Sequence, residues 1–169
     1  MKQWFISDTH FSHANIIRLC GRPFKDVEEM NRELILRWNE CIGVVDLVFF
    51  LGDFGLGSVD HLKNILSKLN GYVICIRGNH DGNHARLHNI GFDVILESAF
   101  ISLGGHRVEL IHIPSEAKPP HFQLHGHVHE KKPNEVIDNK LNLSVEAWGY
   151  RPVYEKKIIG LLDAASKKK

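Results

Sequence analysis

Gln3-Trp4-Phe5-Ile6-Ser7-Asp8-Thr9-His10 is a short apolar run that ends on an acid and an imidazole. The aromatic and β-branched residues Trp4, Phe5 and Ile6 predict a strand over 3–6, with the polar residues in the loop that follows. The same arrangement returns twice. Residues 47–51 run into Gly52-Asp53, and residues 72–76 run into Gly78-Asn79-His80-Asp81. Helical patterns separate these runs. Asp26 with Glu29 forms a capping box, followed by Val27, Met30, Leu34, Trp38 and Cys41 at helical spacing. Ser58 caps a second helix that buries Leu62, Ile65, Leu66 and Leu69 and ends at Asn70-Gly71. A shorter helix is expected over 83–89, stopped near Gly91. From about residue 92 the pattern turns to consecutive strands at 93–96, 99–103, 108–112 and 122–125, with a weaker one at 141–145. Gly104-Gly105 marks a hairpin, and 154–165 reads as a closing helix after Pro152. A βαβαβα half followed by a β-rich half predicts an α/β (α+β) fold. Two sheets are expected to pack face to face with helices outside.

A length of 169 residues suits one domain, expected over 1–165 with a basic tail at 166–169 that reads as a solvated end. The formal net charge is only +1, so the whole protein carries no field for steering polyanions. No apolar run approaches bilayer length, and Lys2 leads directly into the first strand without a signal-peptide pattern. A cytoplasmic protein with no membrane partner is therefore expected. Cys20, Cys41 and Cys75 form no CxxC pair, which argues against disulfides and thiolate zinc ligation. Twelve histidines are the compositional anomaly.

Loops at the carboxyl ends of strands gather in one crevice in α/β folds. Asp8, His10, Asp53, Asn79, His112, His127 and His129 all fall at such positions and are the candidate metal ligands. Asp53 has two oxygens and can serve two cations, so the set supplies two adjacent sites with room for water. Oxygen and imidazole donors without thiolate suit two divalent ions, Mn²⁺ first, with Fe, Zn²⁺, Co²⁺ or Ni²⁺ as alternatives. Each cluster alone has a plainer reading: Asp-x-His as a turn or cap, Gly-Asp as a turn, Gly-Asn-His-Asp as a tight loop, His-Gly-His-x-His as surface histidines. Their joint occurrence, in order and each after a strand, decides for a metal centre.

These residues resemble the five signature motifs of the calcineurin-like metallophosphoesterases: Asp8-x-His10, Gly52-Asp53, Gly78-Asn79-His80-Asp81, His112 and Gly126-His127-x-His129. Asp8-Thr9-His10-Phe11-Ser12-His13 and Gly21-Arg22-Pro23-Phe24 look like small, cap-less bacterial and phage members. The resemblance implies a four-layer αββα sandwich of two mixed sheets in a single domain. It also implies one metal held by Asp8, His10, Asp53 and His129, and another by Asp53, Asn79, His112 and His127. The segment Gly52-Asp53-Phe54-Gly55 departs from the Gly-Asp-x-Val-Asp-Arg-Gly pattern of Ser/Thr protein phosphatases, so that activity is not expected.

The expected reaction is hydrolysis of a phosphodiester or phosphomonoester by a metal-bridging hydroxide attacking in line. His80, next to ligand Asn79 and not needed for the metals, is the candidate general acid, with Asp53 the other catalytic residue. Asn79, His13 and Arg22 are the candidate substrate contacts. His13 reads equally as a helix cap, and Arg22 is preferred over Arg77 for the phosphate. Asp81 is expected to cap the following helix rather than orient His80. His84 and His88 read as a surface pair, His125 as a packing or hydrogen-bonding residue, and Trp148 as partly buried rather than a base-stacking platform. A nuclease or nucleic-acid end-processing enzyme is the alternative, with nucleotide or nucleic acid as partner. A non-catalytic scaffold of this fold, as in one retromer subunit, is disfavoured by the complete ligand set.

Overall fold

The computed structural model describes residues 1–129 and 135–167. Lys168 and Lys169 of the expected basic tail lie outside the described residues. Four parallel strands, β1 (Gln3–Ile6), β2 (Leu47–Phe50), β3 (Tyr72–Ile76) and β4 (Val94–Leu96), form the first sheet. Its edge is completed by β9 (Val153–Tyr154), which pairs antiparallel with β1. The second sheet has the order β5 (Ser98–Leu103), β6 (His106–Ile111), β7 (Phe122–His125), β8 (Lys140–Asn142). Here β5 and β6 make the hairpin turned by Gly104-Gly105, while β6, β7 and β8 run parallel. Both sheets are mixed, as expected.

Side-chain alternation along the strands divides two cores. On β2, Val48 and Phe50 face the helices, whereas Phe49 and the following Leu51 face the second sheet. The helix-side core adds Met30, Leu34 and Trp38 from α2 (Val27–Cys41), Leu62 and Ile65 from α3 (Val59–Leu66), and Leu87 and Ile90 from α4 (His84–Ile90). Ile16 comes from the short α1 (Ala14–Leu19). The inter-sheet core joins Phe5, Phe49 and Ile76 to Val108, Leu110, Leu124 and Leu141. The flanking helices are unequally shared. α1–α4 lie against the first sheet, while α5 (Glu155–Ser166) inserts Ile158 and Leu162 into the inter-sheet core.

Local signals act much as their chemistry dictates. Asp26 caps α2 by accepting from the Glu29 amide at 2.7 Å, but the Glu29 carboxylate accepts from Lys25 N rather than closing the box on Asp26. Ser58 caps α3, which ends at Leu66, earlier than the apolar spacing to Leu69 predicts. The expected strand at 141–145 stops at Asn142, and Val145–Trp148 turns into a 3-10 helix.

Candidate metal centre

The ligand loops are held together before any side chain is considered. Beyond the ends of β1 and β2 the two chains keep bonding: Asp8 N donates to Gly52 O at 2.9 Å, His10 N to Asp53 O at 3.0 Å, and Phe11 N to Phe54 O at 2.8 Å. Within these loops the backbone is left-handed at Asp8 (φ 59°), His10 (φ 48°), Asp53 (φ 60°) and His127 (φ 67°). Such conformations cost non-glycine residues roughly 1–3 kcal/mol each and persist only where surroundings enforce them. Close approach explains two glycines. A Cβ on Gly78 would collide with Asp53 Oδ1, and one on Gly126 with Ser7 Oγ and Asp8 Oδ2.

All seven candidate ligands converge. Asp8, His10 and His129 bring donor atoms within 4.8 Å of one another, as do Asp8, Asp53 and His112. His10 Nε2 lies 3.5 Å from Asp53 Oδ2, and His112 Nε2 lies 3.3 Å from the same oxygen. Asn79 Oδ1 sits 2.9 Å from both His112 Nε2 and His127 Nδ1. His129 Nε2 is 3.7 Å from Asp8 Oδ1.

The donor chemistry fits cations. Among the described residues, His10 Nε2 is buried without a hydrogen-bond partner, a state that normally carries a penalty of about 1–3 kcal/mol. His112 Nδ1 lies 2.7 Å from Leu51 O. A carbonyl can only accept, so the proton is on Nδ1 and the Nε2 lone pair faces the oxygens of Asp53 and Asn79. His129 Nδ1 likewise donates to Glu146 Oε1 at 3.0 Å, turning its Nε2 lone pair toward Asp8. Lone pairs aimed at a common point are what a metal site presents, with outer partners fixing each tautomer.

The electrostatics agree. Burial pushes the His10 imidazole down to about 3, so it stays neutral. Burial also raises the Asp8 carboxyl, opposed by His112 and the Ser7 hydroxyl. His112 is raised because Asp53 outweighs burial, and His129 is raised because Glu146 does the same. Asp53 is lowered, its burial outweighed by His112 and the His80 amide.

Other expected site residues take distinct places. His80 donates its backbone N–H to Asp53 Oδ1 at 2.8 Å, and its side chain is 51% exposed with Nε2 4.0 Å from Asp53 Oδ2. His13 precedes α1 but makes no side-chain cap; its Nδ1 lies 3.4 Å from His10 Nδ1 instead. Arg22 does not face the crevice. It is 4% exposed, with Nε on Glu146, Nη1 on Thr9 O and Nη2 on Asp8 O, so the expected phosphate contact is geometrically closed to it. Asp81 neither caps α4, where Asn83 does so, nor meets His80. Its buried carboxylate accepts from Gly78 N, Asp53 N and Phe54 N and so ties two ligand loops together. His125 is buried against Gly126 O, His84 meets Glu97, and Trp148 donates to Asn142 O.

Three supporting groups escape the sequence reading. Glu146 holds both His129 and Arg22, and Ser7 and Ser144 set their hydroxyls 2.5 and 2.8 Å from Asp8 Oδ2. No motif marks them. Cys20 also comes within metal-binding reach of His129 and Glu146, but Arg22 Nη2, 2.7 Å from Glu146 Oε1, already supplies the positive charge there.

Two mixed sheets with a carboxylate–imidazole cluster at the strand ends define a class of metal-dependent hydrolase scaffold. Residues 1–143 match the calcineurin-like phosphoesterase superfamily domain, and the chain belongs to that family. It is 38% identical over 172 residues to an uncharacterized protein of Methanocaldococcus jannaschii, covering 96% of this chain and 92% of that one. It is also 28% identical to the gene 66 protein of Mycobacterium phage L5, with 86% and 87% covered. Among solved structures, a protein of unknown function from Aquifex aeolicus superposes with a TM-score of 0.76 at 27% identity, covering 95% of this chain and 98% of that one. Among the described residues, no helix is long and apolar enough to cross a membrane.

Proposed function

We propose that this protein is a dinuclear metal-dependent phosphoesterase acting on phosphodiesters or phosphomonoesters. The observation that carries the reading is the buried His10 Nε2, without a hydrogen-bond partner among the described residues, beside Asp8 and Asp53, with four further donors in the same cluster. Asp8, His10, Asp53 and His129 would hold one ion, and Asp53, Asn79, His112 and His127 the other, with Mn²⁺ the preferred metal. Bound divalent ions supply Lewis acidity toward a phosphoryl oxygen and a water of lowered pKa.

The chain's own residues do the rest. Asp53 would serve both sets, since its Oδ2 lies 3.5 Å from His10 Nε2 and 3.3 Å from His112 Nε2 while its Oδ1 accepts from His80 N. His80 is anchored through its amide while its ring stays accessible, which suits a proton donor to the leaving oxygen. His13, its ring tilted beside that of His10 at 5.3 Å between centroids, would meet a non-bridging phosphate oxygen, as would the exposed Asn79 amide. Arg22 acts indirectly by holding Glu146, which orients His129. Three cysteines joined by no disulfide fit a reducing compartment such as the cytoplasm.

Reconstitution with Mn²⁺ tests the reading, following metal stoichiometry and hydrolysis of bis-p-nitrophenyl phosphate and p-nitrophenyl phosphate. Wild type should bind two ions and turn over at least one ester. Asp53→Asn should lose both ions and activity. Full metal loading without hydrolysis of either ester would overturn the catalytic reading in favour of a scaffold.

A further inference from the structure

A groove of about 510 Å³ adjoins the centre, and the candidate ligands Asn79 and His112 are among the residues that line it. Ile113, 50% exposed, lines it together with Arg77, Glu97 and Ser98. Its size falls in the range of roughly 300–1,000 Å³ typical of small-molecule pockets. The ring of His80 lies 5.4 Å from that of His10, and neither residue lines the groove.

That division matters for a phosphoesterase, and the argument rests on the function proposed above. In hydrolysis of a diester, a water oxygen bonds to phosphorus and the P–O bond to one alcohol breaks. That alcohol leaves with a proton, and the other P–O ester bond survives in a monoester product. If His80 protonates the leaving oxygen, the leaving group lies on the His10–His80 side. The substituent that stays lies across the in-line axis, and the groove, which neither His80 nor His10 lines, is open to it.

We infer that this groove binds the retained alcohol of a phosphodiester, and that the alcohol is a nucleoside-sized group bearing a heterocycle. The walls select the chemistry. Ile113 offers an apolar face, while Arg77 presents a guanidinium plane fixed by two bonds to Glu97 at 2.8 and 2.9 Å and one to Gly82 O. Arginine held this way stacks on flat aromatic rings. The exposed Ser98 hydroxyl can meet a polar ring edge. Arg77 and His84 hold the Glu97 carboxyl down to about 2, so Glu97 remains charged and cancels Arg77. The groove therefore has no surplus positive charge for a second phosphate.

The test compares thymidine 5′-(p-nitrophenyl phosphate) with methyl p-nitrophenyl phosphate. Both have the same leaving group and charge and differ only in the retained alcohol. Wild type should favour the thymidine ester at least tenfold in kcat/KM, and Ser98→Trp, which fills the groove, should bring the ratio within twofold. Ile113→Ala should reduce it about threefold. By calorimetry with the metal-loaded protein, thymidine monophosphate should bind at least tenfold tighter than inorganic phosphate, and Ser98→Trp should abolish that margin. Adding a 3′-phosphate to the thymidine ester should bring no more than a twofold gain. Equal rates for the two esters, discrimination surviving in Ser98→Trp, or a large gain from the 3′-phosphate would each overturn the assignment. If neither ester is cleaved, the phosphoesterase reading fails, and the groove is judged by the binding margin alone: no margin overturns it.

Discussion

Glu146→Gln isolates the buried support of the centre. The Glu146 side chain is 0% exposed and faces Arg22 Nη2 at 2.7 Å, Arg22 Nε at 2.9 Å and His129 Nδ1 at 3.0 Å. Glutamine keeps the shape and one acceptor oxygen but leaves the Arg22 charge buried without its counterion. Removing one partner of a buried ion pair typically costs 3–5 kcal/mol. Arg22 retains the carbonyls of Thr9 and Asp8, so the lower end applies, about 3 kcal/mol. For a domain of this size that corresponds to a fall in Tm of about 6–12 °C. His129 also loses the carboxylate that fixes its tautomer, which should weaken metal binding about 10–100-fold. The deficit has a pH signature. Although burial opposes it, His129 and Arg22 hold the Glu146 carboxyl below its ordinary value. Its contribution is thus complete above about pH 4.5 and is lost as pH falls through the lower folded value. Calorimetric unfolding of the metal-free proteins from pH 7 to pH 3.5, with metal titration at pH 7, provides the assay. The difference between variant and wild type should be full at neutral pH and shrink in acid. A Tm within 2 °C of wild type together with unchanged metal affinity would refute the support role.

His80→Ala should keep both metals while lowering kcat by about 10²–10⁴-fold, most for poor leaving groups; metal loss measured by elemental analysis would rule out the proton-donor role. Gly126→Ala should destabilise the protein by about 1–3 kcal/mol in denaturant titration, because the new methyl meets Ser7 Oγ and Asp8 Oδ2. A neutral result there would mean that the loop yields freely. Metal affinity of the metal-free protein should fall as pH drops through the raised values of His112 and His129, where protons compete for their Nε2 lone pairs. His10, pushed down to about 3, should add nothing to that dependence above pH 5. A flat affinity between pH 8 and pH 5.5 would contradict this.

Much of the architecture is legible because it is local. The alternation of Val48, Phe49, Phe50 and Leu51 between two cores follows from strand periodicity, and the caps at Asp26 and Ser58 act within three residues. β9 is not legible, since a two-residue strand exists only through its pairing with Trp4 and Phe5. Asp81 looks like a helix cap because the next helix is near in sequence. Its actual partners Asp53 N and Phe54 N lie 28 and 27 residues away. Arg22 looks like a phosphate contact because it is a loop arginine, and only burial against Glu146, 124 residues on, removes it from the crevice.

From the sequence alone come the donor types, their order and their position after strands, since charge, side-chain chemistry and periodicity reside in neighbouring residues. Tertiary structure decides which lone pairs meet. It turns His112 and His129 through Leu51 O and Glu146, leaves His10 Nε2 without a hydrogen-bond partner among the described residues, and holds Asp8, His10, Asp53 and His127 in left-handed backbone. Those outcomes depend on burial and on hydrogen bonds between segments far apart in the chain, which no local pattern encodes.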